Sequence, residues 1–227
     1  MMVRLLYYRV KGGNLGDKIP NSRVTAGWRS QWVQLPATYG GSYRPAVDKD
    51  RNVYMINGPD NRNGYTTTLV KYSKTGTLIK QVTVGSAGSN QPSGLSISQN
   101  GNHLAFVTSG MHSTNIQLYT TDLVSVRAIP MGNGYTHAGK SVAVTDKGDV
   151  YIILRKYNSE SADTNELKKY ANAGYQMWVK LFDRETLVDI ILLSDGNIAV
   201  ATDYGGMKVH KITGPIFRQM SRQYGLI

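Results

Sequence analysis

The sequence predicts an all-β chain folded as a β-propeller of four blades with four strands each. A polar turn between apolar strands occurs four times, further strand patterns follow each copy, and the copies lie about 48 residues apart. The turns sit in VDKDRNVYMI (47–56), ISQNGNHLAFV (97–107), VTDKGDVYIIL (144–154) and LLSDGNIAVAT (192–202), and Asn52, Asn102, Asp149 and Asn197 anchor them at spacings of 50, 47 and 48. Short strands repeating at this period are the pattern of a propeller, where each repeat makes one blade.

The flanking runs of each turn supply the first two strands of a blade. A third strand follows as LVKYSKTG (69–76), IQLYTTD (116–122), LKKYANAG (167–174) and MKVHKITG (207–214), which puts Tyr72, Tyr119, Tyr170 and His210 in register. The fourth strand reads LIKQVTV (78–84), VSVRAIP (124–130) and YQMWVKLF (175–182). Alternating polar and apolar positions mark it as an outer strand with one wet face. The last repeat is short by one strand, because PIFRQMSRQYGLI opens with a proline that discourages pairing. Upstream, GWRSQWVQLP (27–36) reads as an orphan outer strand. Paired with the last blade, it would close the ring and leave no bare edge. This reading gives an N-terminal arm over 1–26, a propeller over 27–214 and a tail over 215–227. The alternative is five blades, the fifth built from residues 1–40 with the tail.

Composition narrows the functional classes. At 227 residues with 41 % apolar and 18 % charged content the chain can bury a core, and wholesale disorder is excluded. With no cysteine, disulfides and thiolate metal sites are excluded. No apolar run approaches the roughly 20 residues needed to span a bilayer. The start, MMVRLLYYRVKGG, is too interrupted for a secretory signal, so synthesis in the cytoplasm is expected, with a virion as a further location. Of the formal net charge of +11, residues 1–35 hold +5 and residues 208–227 hold +4, leaving the body nearly neutral. Basic ends on a neutral body point to an acidic partner. Arg4, Tyr7, Tyr8, Arg9 and Lys11 in the arm, with Arg218 and Arg222 in the tail, are the candidate assembly residues. The same ends leave nucleic acid open as a partner, although no nucleic-acid module is present.

Catalytic and metal chemistry finds little footing. Asp48, Asp50 and Asn52 alternate like calcium ligands, but Arg51 puts a cation where the ion would sit and no bidentate Glu follows. Asn, Asp and Gly in such a place serve a turn through their own side chains. His103, His112, His137 and His210 make no ligand cluster, so no metal and no cofactor are expected. Inner strands in register place Arg44, Gly94, Ser141 and Asp189 at one level, with Tyr43, Ser93, Lys140 and Val188 one residue earlier. That level lacks the second carboxylate of a hydrolytic pair, and the chain is expected not to be an enzyme. The long loops are more promising. GPDNRNGY (58–65), SGMHST (109–114), KYNSESADTN (156–165) and DYGG (203–206) join strands two and three, and GSAGSN (85–90) and GNGYTHAG (132–139) join blades. They fall on one face and are rich in residues for adaptable polar contacts. Asp60, Arg62, Tyr65, His112, Tyr135, His137, Tyr157 and Tyr204 are the candidate binding residues there.

The repeats resemble the NHL-type repeat and its YVTN-like relatives, most closely in QPSGLSISQNGNHLAFV (91–107) and then in YRPAVDKDRNVYMI (43–56). The resemblance covers residues 43–214 and implies a propeller, though with fewer repeats than such proteins usually carry. The chain is also similar to small propeller modules found on viral particles and in lectins. None of these resemblances carries over a catalytic residue. The expected role is a structural or attachment module of a larger assembly, such as a virion or its tail, which docks on other protein subunits by its arm and presents the loop face. A glycan-binding lectin is the alternative, with a lactonase-like hydrolase behind it.

Overall fold

One kind of turn builds the hairpins of the repeats. In the turn of the first repeat the Arg51 amide donates to the Asp48 carbonyl at 3.0 Å and the Asp48 amide donates to the Asn52 carbonyl at 3.1 Å. The same pair of bonds recurs at Ser98–His103, Thr145–Asp149 and Leu193–Asn197, and again at Ser73–Thr77, Thr120–Val124 and Ala171–Tyr175. The loop is three residues long in six of these seven hairpins and four (99–102) in the second repeat, and in each its third residue lies in the left-handed region. Gly76, Gly101, Gly148, Gly174 and Gly196 supply it with φ between 76° and 94°. Arg51 (φ 67°) and Leu123 (φ 56°) hold the same place without being glycine.

The computed structural model describes residues 2–4, 32–34, 45–57, 66–85, 91–109, 114–132, 137–156, 164–182, 186–203 and 207–212. The chain divides into two compact units, Met1–Thr38 and Tyr39–Ile227. In the first, β1 (Met2–Arg4) pairs antiparallel with β2 (Trp32–Gln34). The second holds four antiparallel sheets, each running in chain order from its first strand outward. The first sheet comprises β3 (Ala46–Val47), β4 (Val53–Asn57), β5 (Thr67–Tyr72) and β6 (Leu78–Gly85). The second comprises β7 (Gln91–Ile97), β8 (His103–Ser109), β9 (Thr114–Thr120) and β10 (Ser125–Gly132). In the third are β11 (His137–Val144), β12 (Val150–Lys156), β13 (Thr164–Tyr170) and β14 (Gln176–Phe182). The fourth has β15 (Thr186–Leu192), β16 (Ile198–Asp203) and β17 (Met207–Ile212). Among the described residues no helix is long and apolar enough to cross a membrane.

A strand shows apolar side chains on both faces only when both are covered, and here successive sheets cover one another. Tyr54, Ile56, Leu69 and Val84 of the first sheet pack on Leu95, Leu104, Phe106 and Tyr119 of the second. Val107, Ile116, Leu118 and Ile129 meet Val142, Val150, Ile152 and Tyr170 at the next seam. Ile153, Leu167, Trp178 and Phe182 then meet Leu187, Ile190, Ile198 and Val200. Each fully buried aliphatic side chain contributes about 1.5–3 kcal/mol. Polar clasps tie the hairpin ends of neighbouring sheets together. The Asn100 amide donates to Asp146 Oδ1 at 2.7 Å, while Lys71 and Lys80 donate to the carbonyls of Thr121 (3.0 Å) and Asp122 (2.7 Å).

One expectation is corrected, and another is touched by three described residues only: of the 27–36 segment, expected to complete the last blade, residues 32–34 are described. Trp32–Gln34 pairs with Met2–Arg4, with Val3 directly opposite Val33, so the fourth sheet has three strands among the described residues. Facing β-branched residues make a favourable cross-strand pair, which gives this short strand a partner inside the first unit. In the third strands, Tyr72, Tyr119 and Tyr170 stand opposite Val53, Leu104 and Val150. Their counterpart opposite Ile198 is Ile212, not His210, which lies two residues earlier opposite Val200. The apolar isoleucine fills the place that the tyrosine rings fill elsewhere.

The Asp48 carboxylate is wholly engaged in the turn. Its Oδ1 accepts the Asn52 amide at 2.8 Å, and its Oδ2 accepts Asn52 Nδ2 at 2.8 Å and the Tyr54 hydroxyl at 2.9 Å. Burial, and next this bond to a carboxylate, push the Tyr54 hydroxyl far above the usual phenol range. The two left-handed non-glycine residues respond oppositely to replacement. Arg51 is exposed, so Arg51→Gly should raise stability by about 0.5 kcal/mol, as relief of the left-handed strain exceeds the added freedom of the unfolded chain. Leu123 is buried in the first seam, so Leu123→Gly should lower stability by about 2 kcal/mol despite the same relief. Urea denaturation of the two variants should show midpoints moving in opposite directions.

Candidate functional site

The long connections leave the sheets at the end away from the tight hairpins. There β4 ends at Asn57 and β5 begins at Thr67, β8 ends at Ser109 and β9 begins at Thr114. The third sheet passes from Lys156 to Thr164 and the fourth from Asp203 to Met207 at the same end. Buried polar side chains gather at these strand ends. Thr67, Thr68, Thr108, Thr114, Asn165, Glu166 and Thr202 all lie there, and each is at most 9 % exposed. Outside this layer, the buried polar residues among those described are only Ser98 and Ser141.

Buried polar groups need partners, and the layer supplies some internally. Gln117 Nε2 donates to Thr108 Oγ1 at 3.4 Å, and Thr202 Oγ1 lies 3.3 Å from His210 Nε2. Lys168 Nζ stands 2.6 Å from Glu166 Oε2, both side chains being largely enclosed. That contact is an ion pair without hydrogen-bond alignment, since Oε2 accepts no hydrogen bond. The Tyr170 hydroxyl is pushed up to about 12, first by burial and then by the charge of Glu166. The Asn57 side-chain oxygen, in the same layer, also accepts no hydrogen bond.

A second feature lies on the first strands. Ser141 Oγ donates to Asp189 Oδ1 at 2.6 Å, which links the third sheet to the fourth. On the other side Gly94 (φ 55°) abuts the Ser141 backbone, because a β-carbon there would sit 3.1 Å from Ser141 Cα and from Val142 N. Gly94, Ser141 and Asp189 are therefore neighbours on adjacent strands, at the level where the repeat aligns them. The sequence alignment put Ser141 level with Asp189 but gave the serine hydroxyl no role. Arg44 lies outside the described residues, and Lys140 is described only as backbone within β11. A hydroxyl one period of 48 residues before a carboxylate was the signal available. The bond can hold the Asp189 carboxylate in place across the two sheets.

Most of the residues singled out from the sequence fall elsewhere. Asp60, Arg62, Tyr65, His112, Tyr135, Tyr157 and Tyr204 lie outside the described residues, as do Tyr7, Tyr8, Arg9, Lys11, Arg218 and Arg222. His137 opens β11 with its backbone opposite Lys156, and Arg4 ends β1 opposite Trp32. Among the described residues no three His, Asp or Glu side chains converge as for a metal ion.

No family model matches the chain. No curated protein matches it either. Solved structures do. Hydrazine synthase of Kuenenia stuttgartiensis is similar at 18 % identity and a TM-score of 0.55, over 81 % of this chain and 56 % of that one. A point variant of Synechocystis apocarotenoid oxygenase is similar at 11 % identity and a TM-score of 0.51, over 74 % of this chain and 47 % of that one. The chain thus spans about half the length of these structures. With four antiparallel sheets in sequence order and neighbours of this kind, the protein belongs to the all-β propeller class. The NHL-type resemblance holds as far as that class.

One expectation does not stand. The chain was expected not to be an enzyme, yet both named structures that share its fold are enzymes. At these identities the likeness shows the fold alone, but it removes the exclusion. The scaffold hosts catalysis in proteins that share almost none of this sequence, so the want of a familiar motif excludes nothing.

The Gly94–Ser141–Asp189 row yields a stability test. Gly94→Ala should cost about 2 kcal/mol, since a β-carbon is strained at this φ and meets backbone that cannot yield. Ser141→Ala should cost on the order of 1 kcal/mol through loss of a bond to a carboxylate. In a double-mutant cycle with Asp189→Asn, followed by urea denaturation, the Ser141 and Asp189 effects should be non-additive.

Proposed function

We propose that the protein is a docking module of a larger assembly, whose partner-binding surface is the loop face above the buried polar layer. The observation that carries this reading is the layer itself. Seven buried polar side chains stand under the long connections, whereas the opposite end of the sheets is closed by tight hairpins. Polar residues are costly to bury, and tight turns would spare a fold that needs only closure. Loops of this length on a rigid scaffold are where binding residues concentrate. The basic termini supply a second point of attachment to protein subunits with acidic surfaces. A virion or tail structure is the setting this reading favours.

The test is co-expression with the products of the adjoining reading frames and recovery of the complex. Three proteins are compared: wild type, a loop-face variant (Tyr65→Ala, Tyr135→Ala, Tyr157→Ala, Tyr204→Ala) and a hairpin-face control (Lys74→Ala, Lys147→Ala). The loop-face variant should lose at least tenfold in complex recovery while the control keeps wild-type recovery. Equal recovery from all three, or loss confined to the control, would refute the reading. A glycan array probed with the same proteins separates a sugar ligand from a protein one. Signal lost only in the loop-face variant would assign the face to glycan.

A further inference from the structure

The fourth sheet stops where the other three continue. Its last strand, β17, pairs with β16 on one side and with no strand among the described residues on the other. Half the backbone groups of such an edge point outward and need partners. Side-chain exposure marks the same place. Leu69, Ile116 and Leu167 occupy equivalent positions opposite Ile56, Val107 and Ile153, and each is 0 % exposed. Val209 holds that position in β17, opposite Ala201, and is 70 % exposed.

The outer strands of the first two sheets show what a fourth strand looks like here. β6 begins Leu78-Ile79-Lys80-Gln81-Val82-Thr83, and β10 begins Ser125-Val126-Arg127-Ala128-Ile129-Pro130. The basic residue third in each run reaches the outer hairpin of the next sheet. Lys80 Nζ donates to the Asp122 carbonyl at 2.7 Å, and Arg127 Cδ would lie 3.1 Å from a β-carbon on Gly174. Two residues on, Val82 and Ile129 stand opposite Leu69 and Ile116 and pack into the seams. Residues 216–221 read Ile-Phe-Arg-Gln-Met-Ser. They repeat the β6 run position by position: two apolar residues, a base, glutamine, an apolar residue and a hydroxyl. Thr213, Gly214 and Pro215 remain as the link from β17, a length that hairpins use, and a proline is tolerated just ahead of an edge strand.

We propose that the open edge of β17 is the docking site for the chain's own segment 216–222, which lies outside the described residues. It adds antiparallel with Met220 opposite Val209 and Arg218 opposite Lys211. Arg218 then takes the place that Lys80 and Arg127 hold in their own sheets. On this reading Arg218 serves the fold and not a partner, which narrows the basic attachment surface to the N-terminal arm. The proposal is independent of the loop-face function.

The absence of native cysteine allows a direct test in the full-length protein. In Val209→Cys/Met220→Cys, mild oxidation should give a disulfide within one chain, seen as the joined peptide pair by mass spectrometry at monomer mass. Directly opposed strand residues meet the distance a disulfide requires. The shifted pair Val209→Cys/Phe217→Cys should cross-link at least tenfold more slowly. A folded double-cysteine protein, verified by its strand circular dichroism, that forms no disulfide would overturn the proposal. So would a disulfide found only between two chains, which would assign the edge to a second copy.

Discussion

The constraint on which the rest depends is that a sheet of this kind cannot cover its own faces. Each is apolar on both sides near its inner strands, and among the described residues each finds cover in the sheet that follows or precedes it in sequence. Tyr54 and Ile56 exist as buried residues because Leu104 and Phe106 close over them, and Ile153 and Leu167 because Ile190 and Val200 do. That dependence makes the repeat length matter. A blade must present its inner strand to its neighbour at a fixed height, and spacings of 47 to 50 residues between turns hold that height across four copies.

The turns follow from the same demand. A hairpin that must return a strand in register within three residues needs a left-handed residue at its end, and glycine is the usual answer. The exceptions show two ways of offsetting the strain. Leu123 accepts it and gains burial against the first seam, whereas Arg51 stands in a turn held by the Asp48 carboxylate, which binds Asn52 and Tyr54 as well. An acidic residue that looks like a metal ligand in the sequence is thereby committed to three hydrogen bonds. The same kind of local bonding recurs with Ser98, whose hydroxyl accepts the amides of Asn102 and His103 and donates to Asn100.

Much of the fold was legible because it is periodic. Strand order, hairpin positions and the levelling of Gly94, Ser141 and Asp189 all follow from aligning four turns. What was not legible was single-copy. The pairing of Val3 with Val33 involves segments outside the repeat, so no second instance existed to reveal it. Ile212 takes the place of a tyrosine because hydrophobic burial accepts either residue, while the eye follows the aromatic pattern to His210. The polar layer under the loops was hidden for another reason. Threonine is a good strand former, and Thr67, Thr108, Thr114 and Thr202 read as ordinary strand residues until their burial is known. The loop tyrosines drew attention, and these buried hydroxyls did not.

The difference between the two ends of the sheets bears on how function relates to the scaffold. At the hairpin end, spacing between sheets is fixed by contacts such as Asn100 with Asp146 and Lys80 with the Asp122 carbonyl, which leave little freedom for change. At the loop end, the strand termini carry hydroxyls, amides and the Glu166–Lys168 pair, whose bonding needs can be met in more than one way. Such an end can tolerate different loops on each sheet without disturbing the apolar seams below. Divergence of the four loops in length and composition is then what a single asymmetric surface requires, since four like sites would demand four like loops. On the proposed docking role, a partner would meet that surface in one orientation, with the seams keeping its parts at constant distance.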